Sequence, residues 1–402
     1  MKFTEKIERF RKEASEAKSA NNIIDMLKKL KDNNDQNTSY RWIWELIQNA
    51  KDVVNSSGKV DIAINFSETT KTLEFSHNGR LFTTENIIFL IEQVSTKDRS
   101  LNEKNRRKTT GKFGTGFLTT HLLSEKVRVL GYLQDADETP YSFETLLDRT
   151  GADKSAIKAA IENSYEMFNG GKESVVVEND FNTKFIYDLD EKGLAIALDV
   201  LRDLLVSISY VLAFVPELNS ISVIAEQIGK EDFNWAICRG ENRPVELSNA
   251  TVTEVQITRS KNGKPNTTSR YVFVLSNEHI SIATEIVTNE HEKHIVEYKE
   301  KLPKIFCDFP LLGTNDFSLP VVVNSSMFNP TELRDGIPLV CSGRASDDSK
   351  ENIERITQAA ELFKTMLDYF VEKDYKEIYN LVNQAYKRIY YLRRKLCTFK
   401  TI

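Results

Sequence analysis

Two stretches of the sequence, about sixty residues apart, carry residue types suited to phosphate chemistry. In the predicted helix Arg41–Asp52, the residues Glu45, Asn49 and Asp52 lie four and three positions apart. Residues at these spacings share one face of a helix, so carboxylate, amide and carboxylate point the same way. The second stretch is the glycine turn Gly111–Phe117, which leads into a helix and leaves backbone N–H groups open to an anion. Together they predict a magnesium–nucleotide site, in which the helix provides metal ligand and base and the turn holds phosphates.

Each stretch taken alone has a plainer interpretation. The stripe of carboxylates and amide would be the solvated face of an amphipathic helix, and the glycine turn would be an ordinary flexible loop. Their combination reverses that preference. The basic residues of 104–112 are favoured as part of a solvated lid over a nucleic-acid patch, and His77 could be a turn histidine without a ligand.

The composition limits the class of protein. With 402 residues the chain is long enough for two or three domains, and 40% apolar with 28% charged residues is typical of a soluble globular protein. A net charge of −5 argues against a surface coated with basic residues, although a local basic groove for nucleic acid stays open. The charged start has no apolar signal core, and the longest apolar run, 204–215, is too short to span a bilayer. Four widely spaced cysteines fit reduced thiols, so we expect a cytoplasmic protein without a membrane partner.

Hydrophobic periodicity predicts the elements that position the two stretches. Alternation over Lys59–Phe66 and Lys71–Ser76 predicts two strands, followed by the tight turn His77-Asn78-Gly79, in which Gly79 can adopt a positive φ. The composition of Ser95–Lys112 predicts a mobile loop that ends at the glycine turn. The other predicted helices are Phe82–Gln93, Phe117–Ser124, Tyr141–Phe168 (capped by Ser142 and Asp153), Gly193–Val215 and the region from Asp347 onward, and the other predicted strands are Lys126–Tyr132, Thr183–Leu189 and several within Ile221–Val296.

The order of these motifs resembles that of the GHKL ATPase superfamily, which includes DNA gyrase B subunits, MutL, histidine kinases and heat-shock chaperones. The first motif of that family, a helix with Glu, then Asn, then Asp or Glu, is matched by Glu45, Asn49 and Asp52. Its strand-then-turn motif Asp-x-Gly is matched by His77-Asn78-Gly79, and its glycine box by Gly111–Phe117. A threonine on a later strand is matched by Thr183.

The likeness is closer to the branch that includes the ATPase-like repeats of sacsin and many large bacterial proteins. Its hallmarks are a His-Asn-Gly turn, a Ser-Thr-Lys start of the lid and a Gly-x-Phe-Gly-x-Gly-Phe box, which here are His77–Gly79, Ser95–Lys97 and Gly111–Phe117. The resemblance covers roughly residues 20–345. It implies an α+β fold with a Bergerat-type ATP-binding α/β sandwich over 1–190, a transducer-like α/β domain over 191–345 and C-terminal helices over 346–402.

The resemblance also implies a role for each residue of the site. Glu45 would be the general base that orients and deprotonates the attacking water, and Asn49 would ligate Mg²⁺ through its amide oxygen. Arg334 is the candidate for the basic side chain that the second domain sends to the phosphate, with Lys304 as a weaker candidate. The other residues expected to contact ATP are Asp52, His77, Asn78, Gly79 and Thr183 around the base, Lys97 and Lys112 as cations, and Gly111, Phe113, Gly114, Thr115, Gly116 and Phe117 in the glycine box.

His77 is a departure from the family pattern. Most of the superfamily has Asp at this position, and that Asp accepts a hydrogen bond from the amino group of adenine. A neutral imidazole can accept on one nitrogen and donate on the other. ATP is therefore still the expected ligand.

The resemblance implies a magnesium-dependent ATPase whose nucleotide closes a lid and drives homodimerisation, acting on a protein partner or a nucleic acid. The alternative is a non-hydrolysing nucleotide-gated scaffold, which His77 keeps open, whereas Glu45 favours hydrolysis. A histidine kinase is disfavoured because no helix pair with a phospho-acceptor histidine precedes the site. Chaperone-like remodelling, nucleic-acid clamping and anti-phage defence stay open as the process served. The basic and aromatic stretch 387–395 could contact RNA, DNA or an acidic partner, but is favoured as a packed helix with outward cations.

Overall fold

The chain is mixed α+β and forms two compact units. The computed structural model describes residues 3–32, 36–93, 116–136, 139–170, 173–174, 177, 181–230, 233–261, 264–288, 292–339 and 346–381. The first unit comprises the described parts of 1–200 and 221–234, and the second comprises those of 201–220 and 235–402. Within the described residues, no helix is both long and apolar enough to cross a membrane.

The first unit combines helices with a largely antiparallel sheet. Its helices are α1 (Phe3–Asp32), α2 (Gln36–Asp52), α3 (Thr84–Glu92), a 3₁₀ helix (Gly116–Leu122), α4 (Lys154–Gly170) and the first part of α5 (Glu191–Phe214). Its strands are β1 (Val60–Ser67), β2 (Thr72–His77), β3 (Lys126–Leu133), β4 (Tyr141–Asp148), β5 (Glu173–Ser174), β6 (Thr183–Asp188) and most of β7 (Leu218–Glu226). They are ordered β7-β1-β2-β6-β3-β4-β5.

Strand β2 fixes the position of His77, one of the predicted site residues, within the sheet. Apolar residues alternate along β1, with Val60, Ile62 and Ile64 fully buried, so one face of the sheet packs against the core. β2 pairs with β1 on one side and with β6 on the other, both antiparallel. His77, the last residue of β2, is therefore paired with Ile62 of β1 and with Thr183 of β6.

The prediction of helix over 141–148 is wrong, because this segment is strand β4, paired antiparallel with β3. Phe143, Thr145 and Leu147 are buried and recur every second residue, which is the period of a strand. Helix begins only at α4, where the Asp153 carboxylate accepts a hydrogen bond from the Ala156 N–H at 2.9 Å. Ser142 lies within the strand and is not a helix cap.

The second unit is also built from β-strands and helix. Its strands are most of β8 (Phe233–Pro244), β9 (Ala250–Lys261), β10 (Lys264–Ser276), β11 (Ser281–Thr288), β12 (Lys293–Ile295), β13 (Ile305–Cys307), β14 (Phe309–Pro310) and β15 (Val322–Asn324). Their order is β14-β13-β15-β11-β10-β9-β8, with β12 beside β11, and β13 pairs parallel with β15. Helix α6 (Asp347–Glu372) packs on β10, where the rings of Phe370 and Phe273 are 4.8 Å apart.

Candidate functional site

Helix α2 is buried along most of its length, including the carboxylate that the sequence singles out. Its apolar residues Trp42, Ile43, Leu46, Ile47 and Ala50 are at most 1% exposed. Glu45 is only 5% exposed, whereas Asn49 and Asp52 are half-buried. A solvated face would expose its carboxylate. The burial of Glu45 therefore argues against a merely solvated face.

Glu45 is held by an arginine one turn earlier on the same helix. Nε of Arg41 donates to Oε1 of Glu45 at 2.8 Å, Nη2 lies 2.8 Å from the same oxygen in an ion pair, and both side chains are buried. Charge-assisted hydrogen bonds of this kind fix a carboxylate strongly. The ion pair occupies Oε1 and leaves Oε2 without a donor among the described residues.

The described end of the glycine box lies directly against this carboxylate. A Cβ atom placed on Gly116 would fall 2.6 Å from Cδ of Glu45 and would clash with Oε2. Real side-chain carbons do not approach so closely, so any residue larger than glycine would displace the carboxylate. The fold thus brings α2 and the start of the 3₁₀ helix together, although about seventy residues separate them in sequence.

The glycine that opens the 3₁₀ helix is held in place from both sides. The Gly116 carbonyl accepts a hydrogen bond from the Thr119 hydroxyl at 2.7 Å. Phe117 is buried, with its ring 5.4 Å from Phe185 of β6 and 6.0 Å from the ring of His121. The 3₁₀ helix is therefore anchored to strand β6 by the packing of Phe117 against Phe185.

Asn49 and Asp52 continue the stripe from Glu45 toward the end of α2. Among the described residues, none makes a hydrogen bond with the Asn49 side chain. The Asp52 carboxylate lies 3.8 Å from Nζ of Lys51. The Asn49 amide oxygen is therefore available to a ligand, whereas Asp52 has a cation beside it.

The turn after β2 is shaped by close packing. Gly79 is not at a positive φ, so that prediction is wrong. Glycine is required here for space, because a Cβ on Gly79 would lie 2.5 Å from the carbonyl oxygen of Val53 and 3.0 Å from Nδ1 of His77. The Gly79 N–H donates to Nδ1 of His77 at 3.2 Å, and the Arg80 N–H donates to the Val53 carbonyl at 2.7 Å.

Asn78 ties this turn to strand β1. Its Oδ1 accepts from the Asp61 N–H at 2.7 Å, and its Nδ2 donates to the Asp61 carboxylate at 2.9 Å. Both ends of the amide are thus engaged by Asp61. This arrangement gives Asn78 a structural role in fixing the turn.

Asn182, which precedes β6, and Thr183, the first residue of β6, link this strand to the turn after β2. Nδ2 of Asn182 donates to the Gly79 carbonyl at 2.8 Å, and the Thr183 hydroxyl donates to Oδ1 of Asn182 at 3.2 Å. Thr183 is 1% exposed and stands opposite His77. Thr183 is therefore joined by hydrogen bonds, through Asn182, to the turn of His77 and Gly79, which is about a hundred residues away in sequence.

The two buried histidines of this unit are neutral. Burial lowers the pKa of His77 from 6.5 to about 4. Burial, and then the nearby Arg149 guanidinium, lower the pKa of His121 to about 3, against a weaker raising effect of the Ser124 and Glu125 backbone. Among the described residues, neither ring nitrogen of His121 has a hydrogen-bond partner.

Arg334 and Lys304 both lie in the second unit. Arg334 is 9% exposed, has a φ of 53°, and donates from Nη2 to the Cys307 carbonyl at 3.4 Å. Lys304 is 2% exposed, and its Nζ lies 3.6 Å from the centre of the Tyr298 ring. Both cations are therefore buried in contact with their own unit.

Several predicted site residues lie outside the described residues. They are Lys97, Gly111, Lys112, Phe113, Gly114 and Thr115. Within the part that is described, no three His, Cys, Asp or Glu side chains group together to hold a metal ion. A Mg²⁺ ion could still be held by the Asn49 oxygen, because Mg²⁺ commonly keeps waters and substrate phosphates as its other ligands.

Sequence reasoning missed three residues that organise the site. Arg41 was detectable, because it precedes Glu45 by four residues in a helix, where such pairs meet. Asp61 and Asn182 gave no such signal, because their contacts with the turn depend on which strands are neighbours.

Comparison with known proteins does not assign this chain to a family. Neither the protein-family models nor the curated proteins give a match to this chain.

Proposed function

We propose that this chain is a magnesium-dependent ATPase of GHKL type, with a Bergerat-type fold in its first unit. The observation that carries the proposal is the approach of Gly116 to the buried carboxylate of Glu45. A glycine box provides backbone donors for phosphate, and a carboxylate beside it can activate water. The sheet order in which His77 and Thr183 face each other supports a base pocket on the same unit.

The residues divide the chemistry as follows. Arg41 fixes the carboxylate of Glu45 through Oε1, so that Oε2 can accept a proton from an attacking water. Asn49 would hold Mg²⁺ through a neutral oxygen, and the ion would supply charge stabilisation for the phosphates. The backbone N–H groups of the glycine box, with Lys97 and Lys112, would contact the phosphates. Arg334 remains the proposed basic residue of the second unit.

Nucleotide binding is proposed to close the segment 95–112 and to drive formation of a homodimer that acts on a protein partner or a nucleic acid. Size-exclusion chromatography with light scattering, with and without a non-hydrolysable ATP analogue, tests the dimer. We expect a larger species only with the analogue and Mg²⁺. A monomer in both conditions would remove the dimer from the proposal.

The metal role of Asn49 is tested by calorimetry of ATP binding with and without Mg²⁺. Asn49→Ala is expected to lose the gain in affinity that Mg²⁺ gives the wild type. Asn65→Ala is the matched control, because Asn65 is exposed on β1. Equal Mg²⁺ dependence in all three proteins would contradict the role.

A non-hydrolysing nucleotide-gated scaffold is the second candidate. It is favoured by the ion pair between Arg41 and Glu45, which engages one of the two carboxylate oxygens. The two candidates differ in one measurable property, the release of phosphate. A scaffold binds ATP without releasing phosphate above background, and Glu45→Ala then changes nothing.

A further inference from the structure

A series of hydrogen bonds leads from Thr183 through Asn182 and Gly79 to His77, and each residue donates to the next. Nδ2 of Asn182 donates to the Gly79 carbonyl, which can only accept, so Oδ1 of Asn182 must face the other way. The Thr183 hydroxyl donates to this Oδ1. On the other side of Gly79, its N–H donates to Nδ1 of His77. Each direction is thereby assigned, because the Gly79 carbonyl can only accept and the Gly79 N–H can only donate.

The hydrogen bond from Gly79 determines which ring nitrogen of His77 carries the proton. Since Nδ1 accepts a hydrogen bond, it carries no proton. Burial lowers the pKa of the ring to about 4, so the ring is neutral near pH 7 and its one proton is on Nε2. Among the residues that the structure describes, none accepts from Nε2. A side chain that is 5% exposed thus keeps an unused donor.

The arrangement is tightly constrained. Gly79 reaches His77 only because it has no Cβ, which would lie 3.0 Å from Nδ1 and 2.5 Å from the Val53 carbonyl oxygen. Antiparallel pairing of β2 and β6 sets Thr183 opposite His77. The imidazole therefore cannot exchange donor and acceptor without breaking its bond to Gly79.

We propose that His77 recognises the nucleobase by donating from Nε2 to an acceptor on its six-membered ring, and does not accept from an exocyclic amino group. The inference rests on the proposed function, because it assumes that this side of the first unit holds the base. For adenine the acceptor would be ring atom N1, and for a 6-oxopurine it would be the oxygen. The protein would then bind a purine nucleotide that lacks the 6-amino group about as tightly as ATP.

The test compares ATP with purine riboside 5′-triphosphate, which lacks the amino group but keeps N1. Calorimetry with Mg²⁺ at neutral pH is expected to give the wild type affinities within about threefold of each other. In His77→Asp the carboxylate can only accept, so ATP is expected to bind at least about tenfold tighter than the analogue. In His77→Asn, Oδ1 can still accept from Gly79 and Nδ2 can still donate, so the two affinities are again expected to lie within about threefold of each other.

The outcomes distinguish failure of the His77 proposal from failure of the proposed function. If both triphosphates bind the wild type but loss of the amino group weakens binding more than about tenfold, the recognition by donation is wrong and the proposed function stands. If neither triphosphate binds, both fall together. The comparison of the two triphosphates on the wild type needs no variant, so it tests recognition by donation even if His77→Asp does not fold.

Discussion

Replacing Gly116 with alanine tests the packing on which the site depends. The new Cβ would clash with the Glu45 carboxylate, which is buried and tied to Arg41. Overpacking of this kind costs about 1–3 kcal/mol. If the carboxylate is driven away from Arg41, breaking the buried pair raises the loss toward about 3–5 kcal/mol. Urea unfolding of Gly116→Ala should therefore show a loss of at least about 1 kcal/mol.

A double-mutant cycle isolates the contact. In a Glu45→Ala background the obstructing carboxylate is absent, so adding Gly116→Ala should cost less, by about 1 kcal/mol or more. Gly170→Ala is the matched control, because among the described residues no atom other than those of its chain neighbours and its own helix backbone lies within 4 Å of its Cβ position. A Gly116→Ala loss as small as that of Gly170→Ala, or the same loss in both backgrounds, would refute the approach of the glycine box to α2.

Three further predictions concern other parts of the chain. The folded pKa of His121, about 3, lies below the unfolded 6.5, so the unfolded state binds more protons between them. Stability should therefore fall with decreasing pH through this range, by up to about 1.4 kcal/mol per unit, and His121→Leu should flatten the dependence in urea titrations. Asn78→Ala should lose about 1–3 kcal/mol in urea unfolding, because it leaves Asp61 without two hydrogen bonds, and an unchanged midpoint would contradict that. Arg334→Ala should spare nucleotide binding and abolish turnover, and unchanged phosphate release would remove Arg334 from the site.

The local elements were predictable because their patterns are local. The spacing of Glu45 and Asn49 and the alternation along β1 each follow from the period of one element. The strand over 141–148 was missed because its sequence, Tyr-Ser-Phe-Glu-Thr-Leu-Leu-Asp, mixes apolar and polar residues in a way that also suits a helix. Its burial at every second residue emerges only from pairing with β3.

The residue types of the candidate site were predictable, but most of the residues that hold them in place were not. Arg41 is the exception, because its spacing within α2 already places it in reach of Glu45. The contact of Gly79 with Val53 and the bridge through Asn182 could not be predicted, because both depend on tertiary neighbours that no short spacing encodes. His77 illustrates the difference, since its residue type left both hydrogen-bond directions open and its Gly79 contact selects one.

The most direct test of the proposed ATPase is phosphate release by the wild type and Glu45→Gln, measured with saturating Mg–ATP. Glutamine keeps the shape of the side chain but cannot take a proton from water. We expect steady release by the wild type and loss of release in the variant, with ATP binding retained in both. Equal release by the two proteins, or none by either, would contradict the role of Glu45 as the base.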